Sequence, residues 1–302
     1  MDETRVLERI GSLRRRRNAV ILAHNYQPPE VQDAADFVGD SLELSRKAAG
    51  LDAELVVFCG VHFMAETAAV LSPGKRVVLP EPAAGCPMAD MISARELRAW
   101  RDKYPGRKVV CYVNTSAAVK SESDICCTSS NAVAVVESLG EEEVLFVPDR
   151  NLAAYVARET GKRIVPWDGY CYVHDKFRPE DILAKKALHP GAEVWVHPEC
   201  PPGVVDLADR VLSTGKMVAE ARVTKAAEVI VGTEKGILHR LRKENLAVAF
   251  YPGRDAALCV NMKMMTLEKV LDALDDKVPA VEVPAVIADR ARGAIQAMLK
   301  IS

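Results

Sequence analysis

One pattern runs three times along the chain in the same order, and it restricts the fold more than any other feature. An apolar run ending in polar residues occurs as AVILAHNY (19–26), KVVCYVN (108–114) and EVWVHPE (193–199). A hydroxyl residue follows each at a matching distance: Ser41 in GDS, Ser129 in CTSSN and Thr214 in LSTGK. A second apolar run comes next: ELVVFCG (54–60), EVLFVPD (143–149) and EVIVGTE (228–234). A third closes each copy and leads into a cysteine: KRVVLPEPAAGC (75–86), KRIVPWDGYC (162–171) and LAVAFYPGRDAALC (246–259). Strands, hydroxyls and cysteines matching in one order mark an internal triplication.

The segments FMAETAAVL (63–71), NLAAYVARE (151–159) and GILHRLRKE (236–244) carry apolar residues at helical spacing. Strands alternating with helices imply βαβ units with right-handed crossovers. The unbroken runs VVF, VLF and VIV suit parallel strands buried on both faces. The expected fold is therefore α/β, with three pseudo-symmetric α/β/α domains built on parallel sheets: residues 1–86 with 260–302, residues 87–171, and residues 172–259. Residues 266–302 carry two helical patterns, expected to pack back on the first domain.

A length of 302 residues suits two or three small domains, and a 49% hydrophobic fraction suits a soluble chain with a substantial core. The formal net charge of −2 gives no electrostatic case for nucleic acid or an anionic membrane. Arg14 to Arg17 read as a solvated helix face, and the apolar stretch after them, Ala19 to Ala23, is too short for a signal-peptide core or a membrane span. The expectation is a cytoplasmic protein. Eight cysteines are many for a reducing compartment, where disulfide frameworks do not persist. They divide into core residues and ligands.

Ligands bind beyond the carboxyl ends of the strands in open parallel sheets, and polar groups stand there in each copy. His24 and Tyr26, Tyr112 and Asn114, and His197 and Glu199 form three pairs at equivalent strand ends. Residues two apart on an extended chain point to the same side, so each copy offers a same-side pair of acid, base or hydrogen-bonding groups. Cys86, Cys171 and Cys259 recur at intervals of 85 and 88 residues and converge if the copies pack about a pseudo-threefold axis. Three thiolates suit a zinc ion or an iron–sulfur cluster. Zinc sites usually show close cysteine pairs, and the adjacent Cys126 and Cys127 read instead as core. A fully cysteinyl [4Fe–4S] cluster takes four thiolates, so three leave one iron open as a Lewis acid. Cys59 and Cys111 lie inside apolar strands and read as core; Cys200 breaks the repeat position.

With these residues in hand, the chain resembles the quinolinate synthase family, the A protein of de novo NAD synthesis. The resemblance runs from AHNYQPPEVQDAADFVGDS through CYVNTSAAVKSESDICCTSSNAV, WDGYCYVHDKF and HPECP to CVNMKMMTLEK, nearly the whole chain. It implies an oxygen-sensitive [4Fe–4S] cluster at the centre, one per chain, on Cys86, Cys171 and Cys259. It implies condensation of iminoaspartate with dihydroxyacetone phosphate to give quinolinate, phosphate and water, and transient contact with the aspartate oxidase that supplies iminoaspartate. Substrate binding is carried over to His24, Ser41, Tyr112, Asn114, Ser129, His197, Glu199 and Thr214, and catalysis to Tyr26, Glu199, His24, Tyr112 and His197.

In that scheme Tyr26 and Glu199 move protons. His24 and His197 hold carboxylate or phosphate when protonated, or relay protons. The three hydroxyls, with helix N-terminal amides, receive anionic oxygens. Some members carry a C-x-x-C-x-x-C run at the last ligand; here residues 254–259 hold only Cys259, which puts redox control through such a run in doubt. Two other readings stand beside this one. A zinc- or cluster-bearing redox sensor has no use for the polar strand-end pairs, and another cluster-dependent hydro-lyase needs no phosphate site.

Overall fold

The computed structural model describes residues 3–50 and 52–301. Among them, twelve strands form three separate four-stranded sheets in which every neighbouring pair is parallel. The first sheet holds β1 (Ala19–His24), β2 (Phe37–Gly39), β3 (Leu55–Cys59) and β4 (Arg76–Val78). The second holds β5 (Val109–Tyr112), β6 (Ile125–Cys127), β7 (Glu143–Val147) and β8 (Arg163–Pro166). The third holds β9 (Glu193–Val196), β10 (Arg210–Val211), β11 (Glu228–Gly232) and β12 (Ala249–Pro252). Each sheet has its second strand outside its first, then its third and fourth on the other side. The strand order thus reverses beside β1, β5 and β9, and the crevice at their carboxyl ends is where such sheets take ligands.

The first and second apolar runs of each copy are the inner strands and the third is an edge strand, β4, β8 or β12; every residue of β3 is buried. Each sheet also carries a short strand, β2, β6 or β10, that the sequence pattern does not reveal. At three, three and two residues, these strands are too short to show a period. Cys126 and Cys127 lie in β6, with Cys111 and Cys59 in inner strands, all four buried as core.

Helices cover both faces. Helix Glu3–Arg16 buries Val6, Ile10 and Leu13, while Arg14 and Arg17 of the basic run pair with Asp36 and Asp276 rather than standing free in solvent. The outer edge of β4 is closed by an antiparallel bridge from Val78 to Ala280, which leaves no open template for strand addition there. The two C-terminal helices part company. Leu267–Leu274 lies against the first helix and β3. The expected return of both to the first unit is corrected for Ala285–Leu299, which lies along β6 and beside helix Ala117–Lys120 of the second. Asn131 holds it there by donating to Ile301 O at 2.9 Å, and Arg292 ties it to the first unit through Val70 O at 2.8 Å. Ala288, Ala291, Ala294, Ile295 and Met298 are buried along one face of the helix, which seats it against both units.

The first and third units meet helix end to helix end. Asp40 caps helix Ser41–Ala49 by accepting from Leu42 N and Glu43 N, and its other oxygen lies 3.3 Å from Ser213 Oγ, the cap of helix Thr214–Ala221. A Cβ on Gly215 would come within 2.5 Å of Asp40 Oδ2. Glycine to alanine in a helix ordinarily gains about 1 kcal/mol, but here Asp40 must give up its cap or the helices must part. Gly215→Ala is therefore expected to destabilise the fold by about 1–3 kcal/mol, read from chemical denaturation. A neutral or stabilising result would show that this contact is slack.

Candidate active site

The carboxyl ends of all three sheets open into one recess of roughly 740 Å³, counting the part open to solvent. Every residue singled out from the sequence lines it: His24, Tyr26, Ser41 and Cys86 from the first unit, Tyr112, Asn114, Ser129 and Cys171 from the second, His197, Glu199, Thr214 and Cys259 from the third. His24 and Tyr112 are the last residues of β1 and β5, and His197 directly follows β9. Ser41 and Thr214 are the first residues of their helices. Ser129 lies in the loop after β6, and the three cysteines lie in the loops after β4, β8 and β12.

The polar pairs share the recess by a turn and not by extension. The strands stop before Tyr26 and Glu199, and the backbone bends so that the second residue's N–H donates to the first residue's ring. Tyr26 N reaches His24 Nδ1 at 3.1 Å, and Glu199 N reaches His197 Nδ1 at 3.3 Å. An imidazole that accepts at Nδ1 carries its proton on Nε2 when neutral. Burial keeps both rings neutral, pushing His24 and His197 down to about 3. Of the two parts expected for these histidines, binding as cations does not suit such burial; neutral, each offers an Nε2–H donor.

Glu199 stands at the centre, with only 2% of its surface exposed. Tyr112 Oη donates to its Oε1, and His174 Nδ1 lies 2.7 Å from its Oε2, close enough for charge to act although the N–H is not aimed along the line. Burial pushes the carboxyl up, but His174 and His197, with the hydrogen bond from Tyr112, bring it down to about 2. The hydrogen bond from Tyr112 and the adjoining imidazoles favour the ionised form of Glu199. Burial and that anion hold Tyr26 and Tyr112 protonated. On its other side His174 Nε2 meets Thr233 Oγ1 at 2.7 Å, and Thr233 Oγ1 meets Tyr26 Oη at 2.5 Å. A continuous chain of contacts thus runs from Tyr26 through Thr233, His174 and Glu199 to Tyr112, and it touches all three units.

The three cysteines share one backbone turn. Backbone N–H groups two and three residues on favour the ionised form of each thiol: Met88 and Ala89 at Cys86, Val173 and His174 at Cys171, Asn261 and Met262 at Cys259. Deep placement pushes all three thiols up, Cys86 to about 12, and the amides pull the other way. Thiols so placed become thiolates when a cationic metal group supplies the opposing charge. Two cysteines are also held by a buried acid: Asp149 Oδ2 accepts from Cys171 N at 3.1 Å, and Glu234 Oε1 from Cys259 N at 3.2 Å. Asn114 Oδ1, facing the recess, is buried without a hydrogen-bond partner, which marks a place for a donor on a ligand. Cys200 does not line the recess; its thiol donates to Gly232 O.

Sequence reasoning missed His174, Thr233, Asp149 and Glu234. A signal was present for three of them. Asp149 and Glu234 end the same repeat segment in which the first copy has Gly60, and His174 stands three residues past its cysteine where the other copies have Ala89 and Met262. Departures from the repeat, and not only its constants, carry the chemistry.

Proton-giving and proton-taking groups linked across three units, beside three thiols, have no packing reason to be gathered in one recess; this is an enzyme site. The family model described as quinolinate synthetase A protein matches residues 8–300. The chain is 59% identical over 297 residues to a protein of Dehalococcoides mccartyi named quinolinate synthase, covering 98% of each chain. It is 55% identical over 302 residues to one of that name from Methanoregula boonei, covering 100% of each. The chain belongs to the quinolinate synthase family, enzymes of NAD biosynthesis. Among the described residues, no helix is long and apolar enough to cross a membrane.

The buried histidines make stability depend on pH in a stated direction. The unfolded chain protonates them below about pH 6.5, the folded chain only near 3. Their contribution is complete above pH 6.5 and is lost as pH falls toward 3, at about 1.4 kcal/mol per pH unit for each histidine. Glu199 acts in the same sense below about pH 4.5, through about 2. Denaturation of wild type and His24→Asn at pH 7 and pH 5 should show a smaller acid loss in the variant, by about 2 kcal/mol. Equal losses would mean that His24 titrates normally in the folded protein.

Proposed function

We propose that this recess condenses iminoaspartate with dihydroxyacetone phosphate to give quinolinate, phosphate and water, with Cys86, Cys171 and Cys259 holding a [4Fe–4S] cluster. The observation that carries the reading is the chain of contacts from Tyr26 to Tyr112 facing the same recess as the three amide-cradled thiols. Three thiolates leave one iron of such a cluster free to act as a Lewis acid on a substrate hydroxyl or carboxylate.

The chain's own groups divide the remaining work. Tyr26 gives and receives a proton at Oη, passed through Thr233 Oγ1 to His174 Nε2. Glu199 orients Tyr112 through their hydrogen bond and lies against the His174 ring. His24 and His197 donate from Nε2 to carboxylate or phosphate oxygens, and Ser41, Ser129, Thr214 and Asn114 supply the remaining hydroxyl and amide contacts. The hydroxyls of Ser41 and Thr214 sit at helix N-termini, which favours anionic oxygens.

The three thiols, each in a loop after the last strand of its unit, support domain boundaries after residues 86, 171 and 259. The eight free cysteines accord with a cytoplasmic location. Transient contact with aspartate oxidase rests on the family alone.

A second reading has one observation in its favour. Donor atoms of Cys171, His174 and Glu199 lie within 4.8 Å of one another, a set that a single zinc ion accepts. It leaves Cys86 and Cys259, in their matching amide turns, without a part.

Turnover tests the proposal. Quinolinate is assayed anaerobically, with iminoaspartate generated in place and dihydroxyacetone phosphate supplied. Tyr26→Phe deletes one oxygen, and Glu199→Gln deletes the charge and keeps the shape. Each variant is expected to keep its metal content and to bind a dicarboxylate product analogue. Each should lose at least about a hundredfold in turnover. If both kept more than about half of wild-type turnover, the parts given to Tyr26 and Glu199 would be wrong.

A further inference from the structure

The loop after Cys259 is tied to the segments that carry the other two cysteines. Asn261 Nδ2 donates to Gly85 O at 2.8 Å, beside Cys86, and Val260 N donates to Tyr172 Oη at 2.9 Å, beside Cys171. Lys263, from the same loop, crosses to the first unit and donates from Nζ to the carbonyl oxygen of Tyr26. The same ammonium pairs with Glu234 at 3.1 Å. Glu234 is fully buried and accepts from Gly236 N at 2.6 Å as well as from Cys259 N. Packing is so close that a Cβ on Gly236 would run into Lys263 Nζ and stand 2.8 Å from Tyr26 O. One buried carboxylate and one ammonium therefore join the backbone of Cys259 to the backbone of Tyr26.

The second unit provides the contrast. Asp149 holds Cys171 N in the same way, but its other oxygen caps a helix at Leu152 N, 2.7 Å away. Holding the cysteine loop and capping its own unit needs no more than that. In the third unit the acid binds a lysine that reaches a residue more than 230 positions away in sequence.

We propose that Glu234 and Lys263 are positioning residues for the reaction: they fix Tyr26 in register with Cys259, so that the proton-handling phenol and the thiol ligand move as one body. This rests on the reading of Tyr26 as a proton-transfer group and Cys259 as a cluster ligand. The contact of Tyr26 Oη with Thr233 at 2.5 Å has no slack, and a displacement of about 1 Å in such a chain lowers rates on the order of a hundredfold. Lys263 grips the carbonyl and leaves the phenol free, so the effect falls on turnover and not on affinity.

The test compares wild type, Lys263→Met, Glu234→Gln, Tyr26→Phe and the Tyr26→Phe/Lys263→Met double variant, all reconstituted anaerobically. Lys263→Met should keep its iron and lose at least about tenfold in kcat, with KM for dihydroxyacetone phosphate within about twofold. It should also release iron to a chelator several times faster than wild type. Glu234→Gln, which keeps an acceptor for Cys259 N and loses the charge that holds Lys263, should show the same kcat loss. In the Tyr26→Phe background the Lys263 change should cost less than about twofold more, because the phenol it positions is gone. Wild-type kcat in both Lys263→Met and Glu234→Gln would overturn the proposal. So would a loss confined to KM, or one that persists in full without the phenol. Failure of the underlying reading shows elsewhere: Tyr26→Phe at wild-type turnover, or Cys259→Ala with full iron, removes the ground for it whatever Lys263 does.

Discussion

An ionised carboxylate in a protein interior is tolerated only where it is surrounded by donors and opposing charge, and Glu199 sets that condition for the whole molecule. Its hydrogen-bond donor Tyr112 comes from the second unit, and its imidazole neighbours His174 and His197 come from the third. His174 in turn needs Thr233, which needs Tyr26 from the first. The sheets cannot slide or rotate against one another without stranding a buried polar group. The apolar cores of the units make each sheet stable, but the polar centre fixes how the sheets meet.

The pseudo-symmetry belongs to the frame and not to the chemistry. Sheet order repeats, the cysteine turn repeats, and two of the three histidine and tyrosine strand ends use the same backbone-to-ring hydrogen bond. Several of the side chains placed on that frame differ between equivalent points. Gly60, Asp149 and Glu234 end the third strands' loops differently, and Ala89, His174 and Met262 follow their cysteines differently. A three-thiol centre suits the repeated part, and two unlike substrates require the unrepeated part.

Much of this was legible in sequence because inner parallel strands must be apolar on both faces, so β1, β3, β5, β7, β9 and β11 announce themselves. The convergence of His24, Tyr112, His197 and the three cysteines followed from the repeat plus the rule that parallel sheets bind at their carboxyl ends. What was not legible has definite causes. Strands of two or three residues show no period. The turn after His24 is set by a hydrogen bond to its own ring, which spacing does not encode. Protonation states depend on burial, so neutral histidines and an ionised Glu199 emerge only once the recess is closed. The last helix sits by the second sheet because a cleft with Asn131 on its wall lies there, a fact of packing between units.

The central claim is that the three amide-cradled thiols hold an iron–sulfur cluster in the recess that makes quinolinate. The most direct measurement is the metal and acid-labile sulfide content of protein purified without oxygen, together with its visible spectrum. The account predicts a brown protein with about four irons and four sulfides per chain, lost together when Cys86, Cys171 or Cys259 is replaced by alanine and kept when Cys59 is. A colourless protein carrying one zinc ion and no sulfide, with Cys86→Ala indistinguishable from wild type, would contradict it.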